Sequence, residues 1–381
     1  MMKRRHFITL IGGAAAWPLT ARAQQGKRMR PPPPKYLTIT PGKEFAANAW
    51  CHQKLPDNAP IDPNSANVVA YFVNAVKPSN SIVVQSGVPI YRVPANQPTQ
   101  PCRLVTDDGT FATRTDAYGS LFQQQLQAGV PLPDLFVSGG GSDQDAVIYQ
   151  PDTGKMWEGW VWAKSGLKVT NSVGQVVNEW TVQWGGYEAS MPTSDGTWSP
   201  QGPQGMKPGL SAAGIPWMAR IITVGDLAQQ AIKHPIGIVV PIGSVISWGW
   251  NRPPAWRCDG YPPQFDPNAM AEGMIFRLPP DINLNDYPNT FWDGTSVKTL
   301  PRLVAECIRD YGLVPTDQGG TAVLDMESPD RYPGDPLVND PIISQVMGAP
   351  HPWGFDNIYI WLAPGFPWDK MQLLKTNLVS S

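Results

Sequence analysis

The chain has 381 residues, enough for one large β domain or two ordinary ones with a sizeable core. Only 16% of residues are charged, while 42 Pro and 36 Gly make up about a fifth of the chain, which favours many short strands and ordered loops over long helices. A hydrophobic share of 42% with 16 Trp excludes bulk disorder, and a formal net charge of −2 without a basic patch argues against a nucleic-acid partner.

The first residues read as an address. Lys3-Arg4-Arg5-His6-Phe7 is a twin-arginine start, Ile8 to Pro18 a short apolar segment, and Ala21-Arg22-Ala23 a small-residue cleavage site, so 1–23 is expected to be a twin-arginine signal peptide. Its removal takes Lys3, Arg4, Arg5 and Arg22 from 29 basic residues, leaving 25 against 31 acidic ones, a net charge of about −6. The expected location is periplasmic or secreted, and the mature chain has no apolar run long enough to span a bilayer. Residues 24–41, with four consecutive prolines from Pro31, read as an extended leader. Residues 42–381 read as a single β-sandwich-type domain.

Ser65 to Val76 carries a helical apolar pattern. Short strands are expected at Ile82 to Gln85, Pro89 to Val93 and Cys102 to Val105. Asp143 to Gln150 alternates, Pro151-Asp152-Thr153-Gly154 is turn chemistry, and Lys155 to Trp162 alternates again, which makes a β-hairpin followed by a strand over Val176 to Trp184. Thr223 to Lys233 opens on a capping-box-like Thr223 and Asp226 and reads as a helix. Strands follow at Ile236 to Ile242 and Ser244 to Trp250, then a helix over Thr299 to Tyr311 ended by Gly312. A hairpin of Leu313 to Pro315 with Thr321 to Met326 comes next, and strands at Ile358 to Leu362 and Pro367 to Leu374 close the chain. The fold class is mainly β, a β-sandwich or jelly roll with two or three peripheral helices. The four cysteines, Cys51, Cys102, Cys258 and Cys307, match no zinc spacing and suit an oxidising compartment. The pairing that closes the shorter loops is Cys51 with Cys102 and Cys258 with Cys307.

The hairpin carries the chemistry. A four-residue turn sets Gln150 opposite Lys155, Val147 opposite Glu158, Asp145 opposite Trp160 and Asp143 opposite Trp162, so Asp143, Asp145, Glu158, Trp160 and Trp162 share one face. A one-residue slip would put Glu158 on the face opposite Asp143.

The order PDNAPIDPNSA, a Ser-Asp before a strand, WEGW after a turn, SAAGIPW, the Thr223 to His234 helix, GMIFRL and ECIRDYGLVPTDQGG resembles a poorly characterised family of secreted bacterial and fungal β-rich proteins, over nearly the whole mature chain. The resemblance implies an architecture and marks Asp143, Glu158, His234, Arg277 and Asp317; it implies no settled activity. This chain departs from the family's pattern at Gln144-Asp145, where relatives tend to carry Arg-His.

Glycosidases need one protonated and one ionised carboxyl group, and indole neighbours raise the pKa of the acid by desolvation. Glu158 and Asp143 are therefore the leading acid and nucleophile or base, with Asp317 a second carboxylate reaching across the sandwich. Trp160, Trp162, Trp248 and Trp250 offer faces for sugar C–H groups, and Asp145 and Arg277 take hydroxyls. The plainer readings make Asp143 and Asp145 loop caps, His234 a helix cap and Asp317 a turn residue. No cofactor is expected, although a calcium ion held by Asp143, Asp145 and Glu158 is a third reading. The sequence thus points to a glycoside hydrolase with a glycan substrate. The alternatives are a non-catalytic carbohydrate-binding or envelope protein, and a polysaccharide lyase in which His234 is the base and Arg277 the cation. Asp325 and Glu327 alternate on one strand as a reserve pair.

Overall fold

Turn chemistry at 151–154 decides the centre of the fold. In the computed structural model, which describes residues 36–76, 83–106, 117–140, 142–198, 209–244, 251–260, 266–287, 297–329, 359–361 and 365–375, β4 (Ala146–Gln150) and β5 (Lys155–Trp160) pair antiparallel with Val147 opposite Glu158 and Gln150 opposite Lys155. Gly154 takes φ +70° in the turn, and a Cβ there would meet Pro192 Cδ at 2.7 Å. All of β4 is buried because each of its faces is covered by another layer.

Around it, β2 (Ile90–Arg92), β4, β5 and β8 (Trp184–Glu188) form a four-stranded sheet, and β3 (Cys102–Leu104), β7 (Val176–Val182) and β6 (Ala163–Thr170) a three-stranded one. The largest sheet has seven strands, in the order β13 (Tyr359–Trp361), β1 (Val83–Val88), β12 (Val323–Glu327), β9 (Ile236–Pro241), β11 (Leu313–Gly319), β10 (Phe276–Arg277) and β14 (Gln372–Leu373). It is mixed, since β1 runs parallel to β12 and β9 parallel to β11 while β12 pairs antiparallel with β9. The described residues contain four α-helices, α1 (Ser65–Val76), α2 (Ala117–Ala128), α3 (Val224–Gln229) and α4 (Leu300–Asp310), and the fold is mainly β.

Three apolar layers hold these elements. Leu300, Leu303, Val304, Cys307 and Ile308 recur at helical intervals, so α4 lays one stripe with Phe72 of α1 on Ile236, Ile238 and Leu324 of the large sheet. Each such aliphatic side chain contributes about 1.5–3 kcal/mol on burial. The opposite face of that sheet, through Val88 and Val314, meets Val147, Tyr149 and Met156 of the four-stranded sheet. Ala146, Ile148 and Trp157 turn the other way, onto Leu104, Val182 and the α2 residues Phe122 and Leu126.

Several expectations are corrected. The strands at 313–319 and 323–327 are not a hairpin, because both pair with β9, which lies between them. The apolar run of β9 takes that central position, where both faces are covered. Helix α3 stops at Gln229, with Gln230 left-handed at φ 59°, and the chain turns back to bring His234 onto Asp226. No disulfide joins the four cysteines, and all are buried thiols. Cys51, Cys102 and Cys307 lie in three different apolar layers, so the expected Cys51–Cys102 pair is separated by the fold itself. Burial pushes the Cys51 thiol up to about 12 and that of Cys307 well above its usual range. The signal peptide, most of the leader and all but Ser244 of the strand expected over 244–250 lie outside the described residues. Residues 35–381 cluster as one compact unit, and among the described residues no helix is long and apolar enough to cross a membrane.

Candidate functional site

The hairpin ladder continues past its strands, with Val161 N–H donating to Asp143 C=O at 2.7 Å and Trp162 N–H to Gln144 C=O at 3.1 Å. Two non-glycine residues are left-handed there, Gln144 at φ 45° and Val161 at φ 54°. The conformation of Val161 breaks the alternation, and Trp162 swings to the far side of the sheet, fully buried edge-on against Phe136. Trp162 is therefore core rather than part of the expected face. Trp160 keeps its place and donates its indole N–H to Asp143 Oδ1 at 3.2 Å.

Beside this corner lies an open groove of about 1130 Å³, bordered by Asp143, Asp145 and Trp160 on one side and by Val239, Asp317 and Asp325 on the other. Trp184, Trp217 and Arg257 also line it. Asp317 reaches it through a β-bulge. The pairing of β11 with β9 shifts between Pro315 and Asp317, so Thr316 is the extra residue and the side chain after it is re-aimed. Asp317 Oδ1 accepts from Gln318 N–H at 2.8 Å and Oδ2 from Ala212 N–H at 3.2 Å. Burial, then the charge of Asp259, nevertheless push its pKa up to about 7.

Asp325 shares the groove with a buried counter-ion. Arg220 donates from Nη1 to Asp325 Oδ2 at 3.1 Å, and its guanidinium lies 3.9 Å from the centroid of the Trp217 ring. Gly237 makes room for this side chain, because a Cβ there would meet Arg220 Cδ at 2.7 Å. Burial raises Asp325 to about 6 against the pull of Arg220. Asp145 is 8% exposed and its Oδ1 has no hydrogen-bond partner among the described residues. Burial, then the charges of Asp143, Asp325 and Asp317, hold it well above the usual carboxylate range.

Glu158 is placed differently from the expectation. It is fully buried and does not border the groove. Oε1 accepts from Trp198 Nε1–H at 3.0 Å and from Leu210 N–H at 2.8 Å, while Oε2 accepts from Trp217 N–H at 3.0 Å. It ties the segment 209–217 to the hairpin and so sets two groove-lining residues, Leu210 and Trp217. Three of the lone-pair sites of the Glu158 carboxylate are taken by these donors. Among the described residues, no group of three His, Cys, Asp or Glu side chains is placed to hold a metal ion.

His234 and Arg277 are also framework residues. Arg277 is buried and donates from Nη1 to Pro56 C=O at 2.6 Å and from Nη2 to Asp57 C=O at 3.0 Å. His234 is buried with Nε2 3.0 Å from Asp226 Oδ2 and Nδ1 2.9 Å from Pro235 C=O, two acceptors that suit a doubly protonated ring. Burial lowers its pKa, but Asp226 and the carbonyl outweigh burial and the net shift is upward. A histidine raised on folding contributes stability that is fully present below about pH 6.5 and is lost as pH rises through its folded pKa. The free energy of unfolding is therefore expected to fall above pH 6.5 with a slope of up to about 1.4 kcal/mol per pH unit from this group. Urea titrations across that range should lose this component in His234→Gln.

Of the residues expected from the sequence, the fold brings together Asp143, Asp145, Trp160 and Asp317, with Asp325 from the reserve pair. It sets Glu158, His234, Arg277 and Trp162 into the framework, and Trp248 and Trp250 lie outside the described residues. Arg220 and Trp217 are additions from the structure, although a single arginine inside the apolar stretch IPWMARIITV is a sign of a buried cation needing a partner. Comparison of the chain with protein-family models, with curated proteins and with solved structures finds no match.

Proposed function

We propose that this is an exported carbohydrate-active enzyme, a glycoside hydrolase that works on a polysaccharide or oligosaccharide in the groove. The observation that carries the reading is the convergence of Asp143, Asp145, Asp317 and Asp325 on one open groove lined by Trp160 and Trp184. Asp317, raised to about 7, is partly protonated at neutral pH and suits the general acid. Asp143 precedes β4 of the other sheet, is exposed and accepts the Trp160 indole N–H, which suits the nucleophile or base. The lyase reading lacks comparable support, since His234 and Arg277 are buried away from the groove, His234 on Asp226 and Arg277 on the Pro56 and Asp57 carbonyls.

A glycan panel screened for new reducing ends tests the reading. Asp317→Asn and Asp143→Asn should each lower turnover by about 10²–10⁴-fold while leaving glycan binding in place. Wild-type activity should fall as pH rises above about 7, as Asp317 loses its proton. Glycan binding without turnover in the wild type would instead support the non-catalytic carbohydrate-binding reading. Turnover unchanged in both variants would overturn the carboxylate assignment.

A further inference from the structure

Among the described residues that line the groove, four are aspartates and one, Arg257, is a cation. Arg220 is bonded to Asp325 and lies against Trp217. Arg257 donates from Nη2 to the carbonyls of Gly209 at 2.9 Å and Ser211 at 2.5 Å, and its guanidinium lies 5.5 Å from the Trp184 centroid. The deficit is sharpest at Asp145, nine-tenths buried on the groove with Oδ1 unpartnered among the described residues. A buried carboxyl oxygen without a donor is costly to maintain, and it becomes favourable when a ligand supplies the donor. A sugar hydroxyl supplies a hydrogen bond but no charge. A primary ammonium supplies three N–H donors and the missing positive charge together.

We infer that the groove takes glycans carrying free primary amines, such as 2-amino-2-deoxyhexose units that are not N-acetylated, with the ammonium set against Asp145 and Asp325 and the sugar rings against Trp160 and Trp184. The inference rests on the glycoside-hydrolase reading and names its substrate class. The volume of about 1130 Å³ exceeds the roughly 300–1,000 Å³ typical of pockets for one small ligand, so more than one sugar unit fits. N-acetylation removes the charge and two of the three donors, which leaves Asp145 without its ion partner.

Tryptophan fluorescence and calorimetry with four ligands test this: glucosamine hexamer, its fully N-acetylated counterpart, cellohexaose and spermine, over a pH series from mildly acidic to neutral that spans the titration of Asp325. The glucosamine hexamer should bind at least about tenfold more tightly than either neutral hexamer, and added salt should reduce that preference. Asp145→Asn should remove most of the preference while leaving the unfolding midpoint close to wild type, whereas Asp143→Asn, outside the ammonium contact, should retain the preference. Equal or tighter binding of a neutral hexamer overturns the inference, and if that hexamer is cleaved the hydrolase reading stands without it. Spermine binding as tightly as the glucosamine hexamer overturns the assignment to an amino sugar in favour of a free polyamine. Absence of binding and cleavage with every hexamer overturns both readings.

Discussion

Glu158→Ala should destabilise the protein by at least about 3 kcal/mol. The substitution leaves three buried donors, Trp198 Nε1–H, Leu210 N–H and Trp217 N–H, without an acceptor, and each such group costs about 1–3 kcal/mol. Relief of the buried charge offsets part of that sum, since burial already raises the Glu158 pKa against those same hydrogen bonds. Domains are stable by only about 5–15 kcal/mol, so the loss should be visible as a large fall in the urea midpoint and in soluble yield. Glu158→Gln keeps one oxygen for two of the donors but turns an NH₂ group toward the third, and should cost about 1–3 kcal/mol. A catalytic acid in a groove would behave in the opposite way, because its removal abolishes turnover and leaves the midpoint unchanged or higher. Urea unfolding of both variants separates the two roles without knowledge of the substrate.

The contrast between Asp143 and Glu158 marks what is legible in the sequence. Turn length and alternation yield the register of the hairpin, with Val147 opposite Glu158 and Gln150 opposite Lys155 as expected. Alternation assigns a side chain to a face, but it does not say whether another layer covers that face, and the segment 209–217 covers Glu158. Trp162 departs for a different reason, since a left-handed Val161 is not readable from a β-branched residue that rarely adopts that conformation. Asp317 does border the groove beside the hairpin residues, yet the bulge at Thr316 that aims it depends on pairing with β9, a strand far earlier in the chain. Helix α2 is not legible because Phe122 and Leu126 are a thin stripe in a glutamine-rich stretch, and β6 is not because its exposed, polar sequence AKSGLKVT resembles a loop. The cysteine count suggests bridges, whereas Cys51, Cys102 and Cys307 pack as small side chains in three separate apolar layers.

Arg220→Met should cost about 3–5 kcal/mol at neutral pH and much less in acid. Arg220 is 1% exposed, and its charge lowers the pKa of Asp145, Glu158, Asp317 and Asp325, so it acts as the shared counter-ion of the groove and its support. Methionine fills similar volume but leaves Asp325 buried without a partner, the situation in which breaking a buried pair is most costly. The sign follows from linkage. Asp325 titrates near 6 in the fold against an ordinary value of 3.8, so its ionisation already removes stability as pH rises through that interval. Without Arg220 the folded pKa climbs further, and the penalty grows over a wider range that extends above pH 6. Below about pH 4 the carboxyl group is protonated in both states and the difference between wild type and variant should shrink. Arg220→Lys should fall between the two, because an ammonium keeps the charge but not the planar contact with Trp217. Urea titrations at a series of pH values measure this directly. A loss that is the same at every pH would assign Arg220 to packing against Trp217 alone and would remove the counter-ion role from the groove.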